Sequence, residues 1–222
     1  MDLRLIHPSS HLICGQSGCG KSTLAATLVR YKDIMFNPVP KHVIWIYSER
    51  VSIPEDLLRD NLIDECYEGY ESYTFLRERV MAHRDDGGSI CFFDDALSSP
   101  SLQKDIDRIF YELGHHSRTS FMMASQELFH QRSKYRTASK QLANLWLFSS
   151  KRSATDIYNL ARQMSPADYT YIVRYVVALL TTYFIFSFLK VHFLLQSISR
   201  RYRECTTSIH VLWISSKISY SD

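Results

Sequence analysis

The first candidate functional residues form one uninterrupted stretch, 15–22, with the spacing G-x-x-x-x-G-K-[ST]. Its glycines let the backbone turn closely around a phosphate group and direct N–H groups toward it. Lys21 would reach the β- and γ-phosphates of a nucleoside triphosphate, and the hydroxyl of Ser22 would bind Mg²⁺. The stretch therefore predicts a nucleotide site formed by Gly15, Gln16, Ser17, Gly18, Cys19, Gly20, Lys21, Ser22 and the adjoining Thr23.

Two adjacent acids, Asp94 and Asp95, follow the apolar run 90–93. A pair of carboxylates at the end of a buried strand is costly unless water or a cation is close. A magnesium–nucleotide complex would supply that cation, with Asp94 as a metal ligand and Asp95 orienting or deprotonating the attacking water. The alternative is a solvated strand end, or a helix N-cap before residues 98–100.

A third polar group, Gln126, closes the apolar run 120–124. Its amide can donate and accept hydrogen bonds, so it could sense a terminal phosphate and position a water molecule. The alternative is that Gln126 is a surface residue at the start of the next helix.

Short apolar runs alternate with amphipathic stretches along the first 172 residues, and these elements must position the polar groups. The pattern predicts strands at 11–14, 43–47, 89–93, 120–124 and 145–148, and helices at 21–31, 102–113 and 154–163. Residues 54–83 are polar with helical patches. Alternating strands and helices predict an α/β fold with a mainly parallel sheet covered by helices on both faces. Ligands of such sheets bind at the carboxyl ends of the strands, where all three motifs fall.

The composition is that of an ordinary globular protein, because 45% of the 222 residues are hydrophobic and 22% are charged. Five cysteines are scattered without a CxxC pair, which favours reduced thiols over disulfides or a zinc site. The first residues lack a signal-peptide pattern. We therefore expect an intracellular protein of the cytoplasm or nucleus, in its own or a host cell, and not a secreted one.

The charge divides the chain at residue 173. Residues 1–172 carry a net charge of −1, whereas residues 173–222 carry +4. We therefore predict an ATPase-type domain over 1–172 and an apolar, basic tail over 173–222. Residues 175–189 have no charge, but Lys190 interrupts the run, so it is short for a membrane span and a membrane role is not favoured. The tail could also be a buried strand or helix, or a non-native extension of the gene product.

The order of motifs resembles that of the poxvirus-like DNA-packaging ATPases of large double-stranded DNA viruses and of Polinton/Maverick transposons, in the FtsK–HerA class. The likeness spans roughly residues 8 to 172. It is carried by 15–22, Asp94 with Asp95, 114–120 leading to Gln126, 135–140, 145–148 and 156–166. That class often has Gly-Arg-His-x-Asn before the strand that leads to Gln126, where this chain has His115 in the place of the arginine and Arg118 in the place of the asparagine.

The resemblance implies a RecA-like P-loop ATPase that uses ATP and Mg²⁺, forms a homo-oligomeric ring around double-stranded DNA and drives it into a capsid, so a capsid protein is an expected partner. In such rings a neighbouring subunit's arginine commonly completes the site. Arg118 and Arg136 are the candidates, and the alternative for each is a surface or salt-bridging arginine. The region 128–155 contains six basic residues and no acid: Arg132, Lys134, Arg136, Lys140, Lys151 and Arg152. This cluster could neutralise DNA phosphates or simply be a solvated face.

Two other functions stay open. The first is a small-molecule kinase of the nucleoside or nucleotide type, although two acids and a strand-end glutamine favour water over another acceptor. The second is a non-catalytic nucleotide-binding subunit or a decayed transposon product. The chain has no Asn-Lys-x-Asp motif for reading guanine, so ATP is the expected nucleotide.

Overall fold

The computed structural model describes residues 2, 4–48, 53–94, 99–126, 142–148, 154–174 and 208–212. The strands are β1 (Leu5–Ile6), β2 (Ser10–Cys14), β3 (Phe36–Asn37), β4 (His42–Tyr47), β5 (Glu65–Glu68), β6 (Ser89–Asp94), β7 (Thr119–Ser125), β8 (Asn144–Phe148) and β9 (Ser208–Leu212). The helices are α1 (Lys21–Arg30), α2 (Lys32–Met35), α3 (Glu55–Arg59), α4 (Tyr73–Ala82), α5 (Pro100–Arg108), a π-helical turn (Ile109–Leu113), α6 (Gly114–Ser117), α7 (Ala154–Met164) and α8 (169–174).

Seven strands form one parallel sheet in the order β5-β4-β6-β7-β2-β8-β9. The strand that precedes the glycine-rich stretch, β2, lies between β7 and β8. The acidic strand β6 is separated from β2 by β7 alone. Because the strands are parallel, the residues that follow β2, β6 and β7 emerge at the same edge of the sheet.

Both faces of the sheet are covered. Alternate residues along β6 point to opposite sides: Phe92 belongs to the core beneath α1, and Phe93 to the core beneath α4 and α5. Adjacent strands share this alternation, so each contributes to both cores. The predicted α/β fold with a parallel sheet flanked by helices is confirmed.

Two parts of the chain differ from the sequence prediction. Residues 54–83 contain the strand β5 between α3 and α4, where we predicted only helical patches. The four residues of β5 are alternately half-buried and exposed, so the strand lacks an apolar run. The helix predicted at 102–113 is α-helical only to Arg108 and continues as the π-helical turn.

The predicted tail contributes β9, which pairs in parallel with β8. The charge-free run 175–189 lies outside the described residues, so the predicted division at residue 173 stays a prediction. Within the part of the chain that the structure describes, no helix is both long enough and apolar enough to span a membrane.

A buried histidine, His7, joins the N-terminal segment to the start of β7. It is 3% exposed, and its Nδ1 lies 2.7 Å from the hydroxyl oxygen of Ser120. Ser120 also accepts a hydrogen bond from the backbone N–H of Ser9. Burial lowers the pKa of His7 from 6.5 to about 4. The imidazole is therefore neutral in the folded protein at neutral pH.

Replacing His7 with glutamine should flatten the dependence of stability on pH. Between about pH 6.5 and pH 4 the unfolded chain binds a proton at His7 that the folded chain excludes. The free energy of unfolding of the parent protein should therefore fall as the pH drops through that window. His7→Gln should lower stability at pH 7 but show a smaller fall, in urea denaturation at several pH values. The exposed His116 serves as control, because His116→Gln should keep the full dependence.

Candidate active site

The glycine-rich stretch connects β2 to α1 at the carboxyl edge of the sheet. Gly20 precedes α1 with a φ of 97°, in the left-handed region that favours glycine. Its carbonyl accepts a hydrogen bond from the N–H of Leu24. This is the first of the backbone hydrogen bonds that form α1. The N–H groups at the start of α1 therefore face the same edge and favour an anion there.

Gly15 holds the base of this loop against two later strands. Its N–H donates to the carbonyl of Ser125 over 3.0 Å, which links the loop to the end of β7. A Cβ atom at Gly15 would lie 2.6 Å from the Cβ of Phe148 and 2.6 Å from the Sγ of Cys19. No side chain fits between these groups, so glycine is required here. Phe148, the last residue of β8, lies against the base of the loop. The sequence pattern did not single it out.

Lys21 lies folded into the loop. Its Nζ donates to the carbonyls of Gly15 and Gln16, both over 3.0 Å. The ammonium group is thus on the inner side of the curve formed by residues 15–20, where an anion would meet both its charge and the backbone N–H groups. A phosphate oxygen would compete with these two carbonyls for the lysine protons.

Ser22 and Asp94 are in direct contact although they lie 72 positions apart in the sequence. The hydroxyl of Ser22 donates to the two carboxylate oxygens of Asp94 over 3.0 and 3.1 Å. Asp94 is 3% exposed, so its charge is held in a largely water-excluded position. Hydroxyl and carboxylate oxygens are ligands that Mg²⁺ accepts, usually with water and substrate phosphates completing the shell.

The described residues contain no group of three His, Cys, Asp or Glu side chains that could hold a metal ion by themselves. Two protein oxygens fit a magnesium ion that is bound together with a phosphate-bearing substrate. The hydroxyl oxygen of Ser22 and the carboxylate oxygens of Asp94 therefore fit the predicted Mg²⁺.

The remaining predicted site residues are distributed over both edges of the sheet or lie outside the described part. Gln126 is exposed and directly follows β7, one residue beyond the Ser125 carbonyl that holds Gly15. Asp95 and Arg136 lie outside the described residues. Thr23 and Gln16 are exposed around the loop.

Arg118 lies at the opposite edge of the sheet. It is an exposed residue with a φ of 52° in the turn that precedes β7. The seven residues of β7 separate it from Gln126, a distance of roughly 25 Å. Arg118 is therefore too far to act in the site of its own chain, and a catalytic role would require the site of another subunit.

Comparison with known proteins does not assign the chain to a family: no protein-family model matches it. No curated protein matches it either.

Proposed function

We propose that this chain is an ATP-hydrolysing motor of the RecA-like P-loop class that translocates double-stranded DNA, as in the packaging of a viral or transposon genome. The contact between Ser22 and Asp94 carries the ATPase part of the proposal. The contact joins a loop suited to polyphosphate with a buried carboxylate suited to magnesium. Neither motif by itself requires the other to be close, so their contact is independent support for the proposal.

The residues have distinct tasks in this proposal. The loop N–H groups and Lys21 bind the β- and γ-phosphates of ATP, and Ser22 with Asp94 holds Mg²⁺. When bound, Mg²⁺ offsets negative charge on the phosphate oxygens. Asp95 orients the attacking water and accepts its proton. Water adds to the γ-phosphorus, and the bond to the β–γ bridging oxygen breaks to leave ADP.

The strand order supports Gln126 as a partner of the water. Because β7 lies between β2 and β6, the residue that follows β7 emerges between the loop and Asp94. An amide there can donate to a phosphate oxygen and accept from water at once. An arginine that reaches the site, Arg118 or Arg136, would come from a neighbouring copy in a ring.

The DNA part of the proposal rests on the resemblance and on the six basic residues of 128–155, which lie outside the described residues. A capsid protein would be a further partner of such a motor. Contacts to DNA phosphates release counterions, so the affinity should fall as salt rises.

Phosphate release measured with and without duplex DNA, at two salt concentrations, tests the proposal. We expect duplex DNA to stimulate hydrolysis. Added salt should weaken DNA binding and bring the rate back toward its basal value. Heparin is the matched polyanion control and should not stimulate. A rate of hydrolysis that duplex DNA does not change would contradict the motor function but would leave the proposed ATPase activity standing. Phosphate transfer from ATP to a nucleoside would favour the kinase, and binding without turnover, unchanged by Asp95→Asn, would favour a non-catalytic subunit.

A further inference from the structure

We propose that Tyr47 is a positioning residue for Asp94, an inference that rests on the proposed ATPase function. Tyr47 is the last residue of β4, the strand next to β6 in the sheet. The two strands pair in parallel with Tyr47 directly beside Asp94. Neighbouring strands are about 4.8 Å apart, so the backbones of the two residues are in immediate contact.

Both side chains point to the face of the sheet that α1 covers. Along β4, Val43 and Trp45 belong to the core beneath α1, and Tyr47 continues the same alternation and packs on that core. Along β6, Phe92 belongs to the same core, so Asp94 shares its side. The hydrogen bond from Ser22 to Asp94 agrees with this orientation, because Ser22 is in the first turn of α1.

The end of β4 is held firmly. The carbonyl of Tyr47 accepts the N–H of Gly69 over 2.7 Å, which ties it to the residue after β5. One pair earlier on the same face, the rings of Trp45 and Phe92 pack with their centroids 4.4 Å apart. Tyr47 itself is half-buried and lies on the same face as the carboxylate.

The chemistry of a phenol suits this place. Its hydroxyl can donate a hydrogen bond to a water molecule in the metal shell or to Asp94. Ser22 already binds both oxygens of Asp94 from the loop side. Tyr47 would hold the carboxylate from the β4 side, so that its orientation toward the metal does not depend on one hydroxyl.

The test is Tyr47→Phe, which removes the hydroxyl and keeps the ring. Partners outside the ligand shell commonly change metal affinity or activity by 10–100-fold, so we expect the Mg²⁺ concentration for half-maximal hydrolysis to rise about tenfold. Mn²⁺ binding to the complex with a non-hydrolysable ATP analogue, measured by electron paramagnetic resonance, should weaken by a similar factor. Nucleotide affinity without metal should change less than about twofold, because the loop is untouched.

Tyr70→Phe is the matched control. Tyr70 also donates its hydroxyl to a carboxylate, that of Asp105 over 2.9 Å, but it belongs to the core on the other face of the sheet. It should leave both metal measurements unchanged. If the Tyr47→Phe protein binds Mn²⁺ and depends on Mg²⁺ as its active parent does, the inference about Tyr47 is wrong. The proposed function would not be affected by that result. A parent protein that binds no nucleotide would overturn the proposed function as well.

Discussion

Replacing Lys21 with alanine should weaken nucleotide binding and lower ATP hydrolysis by at least about a hundredfold, the size of the loss in turnover expected when one preorganised donor to a transferring group is removed. Lys21 already lies inside the loop, where its ammonium is bonded to the carbonyls of Gly15 and Gln16. A γ-phosphate there gains a full opposite charge at hydrogen-bond distance, and alanine offers neither charge nor donor. Binding of a fluorescent ATP analogue and phosphate release measure the two effects separately.

The control for this variant is Lys32→Ala. The ammonium of Lys32 also donates to two backbone carbonyls, those of Pro40 and Lys41, over 2.9 and 2.8 Å. Both variants therefore lose one lysine with two carbonyl contacts, but only one loses a group of the candidate site. Lys32→Ala should bind and hydrolyse ATP normally. Equal turnover in the two variants would contradict the assignment of Lys21 and of the loop.

Replacing Asp94 with asparagine should lower turnover about 10²–10³-fold, in the range seen when a preorganised electrostatic group is removed from an active site. The amide oxygen can still accept the hydrogen bond of Ser22, so the loop should keep its place. What disappears is the negative charge that we propose holds magnesium. ATP binding without metal should therefore survive, whereas the metal-dependent part of binding should not. Phosphate release and Mg²⁺ titrations measure these outcomes.

Asp105→Asn provides the comparison for Asp94→Asn. Asp105 likewise accepts a hydroxyl hydrogen bond, from Tyr70, but it lies on α5. We expect this substitution to leave hydrolysis and its Mg²⁺ dependence unchanged. Wild-type turnover in Asp94→Asn would show that Ser22 and Asp94 are only a structural link between α1 and β6.

The buried strands could be predicted well because parallel strands with two covered faces consist of continuous apolar residues. The run before Asp94 and the run before Gln126 are examples, and each matches a strand to within about one residue. The edge strand β5 could not be found this way, since Glu65 and Glu68 give it charged ends and its faces are partly in solvent. Its hydrogen bonds to β4 are tertiary contacts, which local composition does not encode.

For the candidate site, sequence spacing specified the loop but not its surroundings. Ser22 and Asp94 were each assigned to magnesium from local motifs, and their contact follows from the strand order. Phe148 and Tyr47 could not be singled out, because each is an ordinary apolar or aromatic strand end. Their importance comes from lying beside Gly15 and Asp94, and that depends on which strands are neighbours in the sheet.

The contacts that anchor Gly15 affect when this part of the chain can fold during its synthesis on the ribosome. The loop is translated before its supports, because its base is held by Ser125 and enclosed by Phe148, more than a hundred residues later in the sequence. A nascent chain shorter than that has the glycine-rich residues but neither of their supports. Because parallel strands pair only after long intervening segments exist, the proposed nucleotide site should form only once residues 125 and 148 have been synthesised.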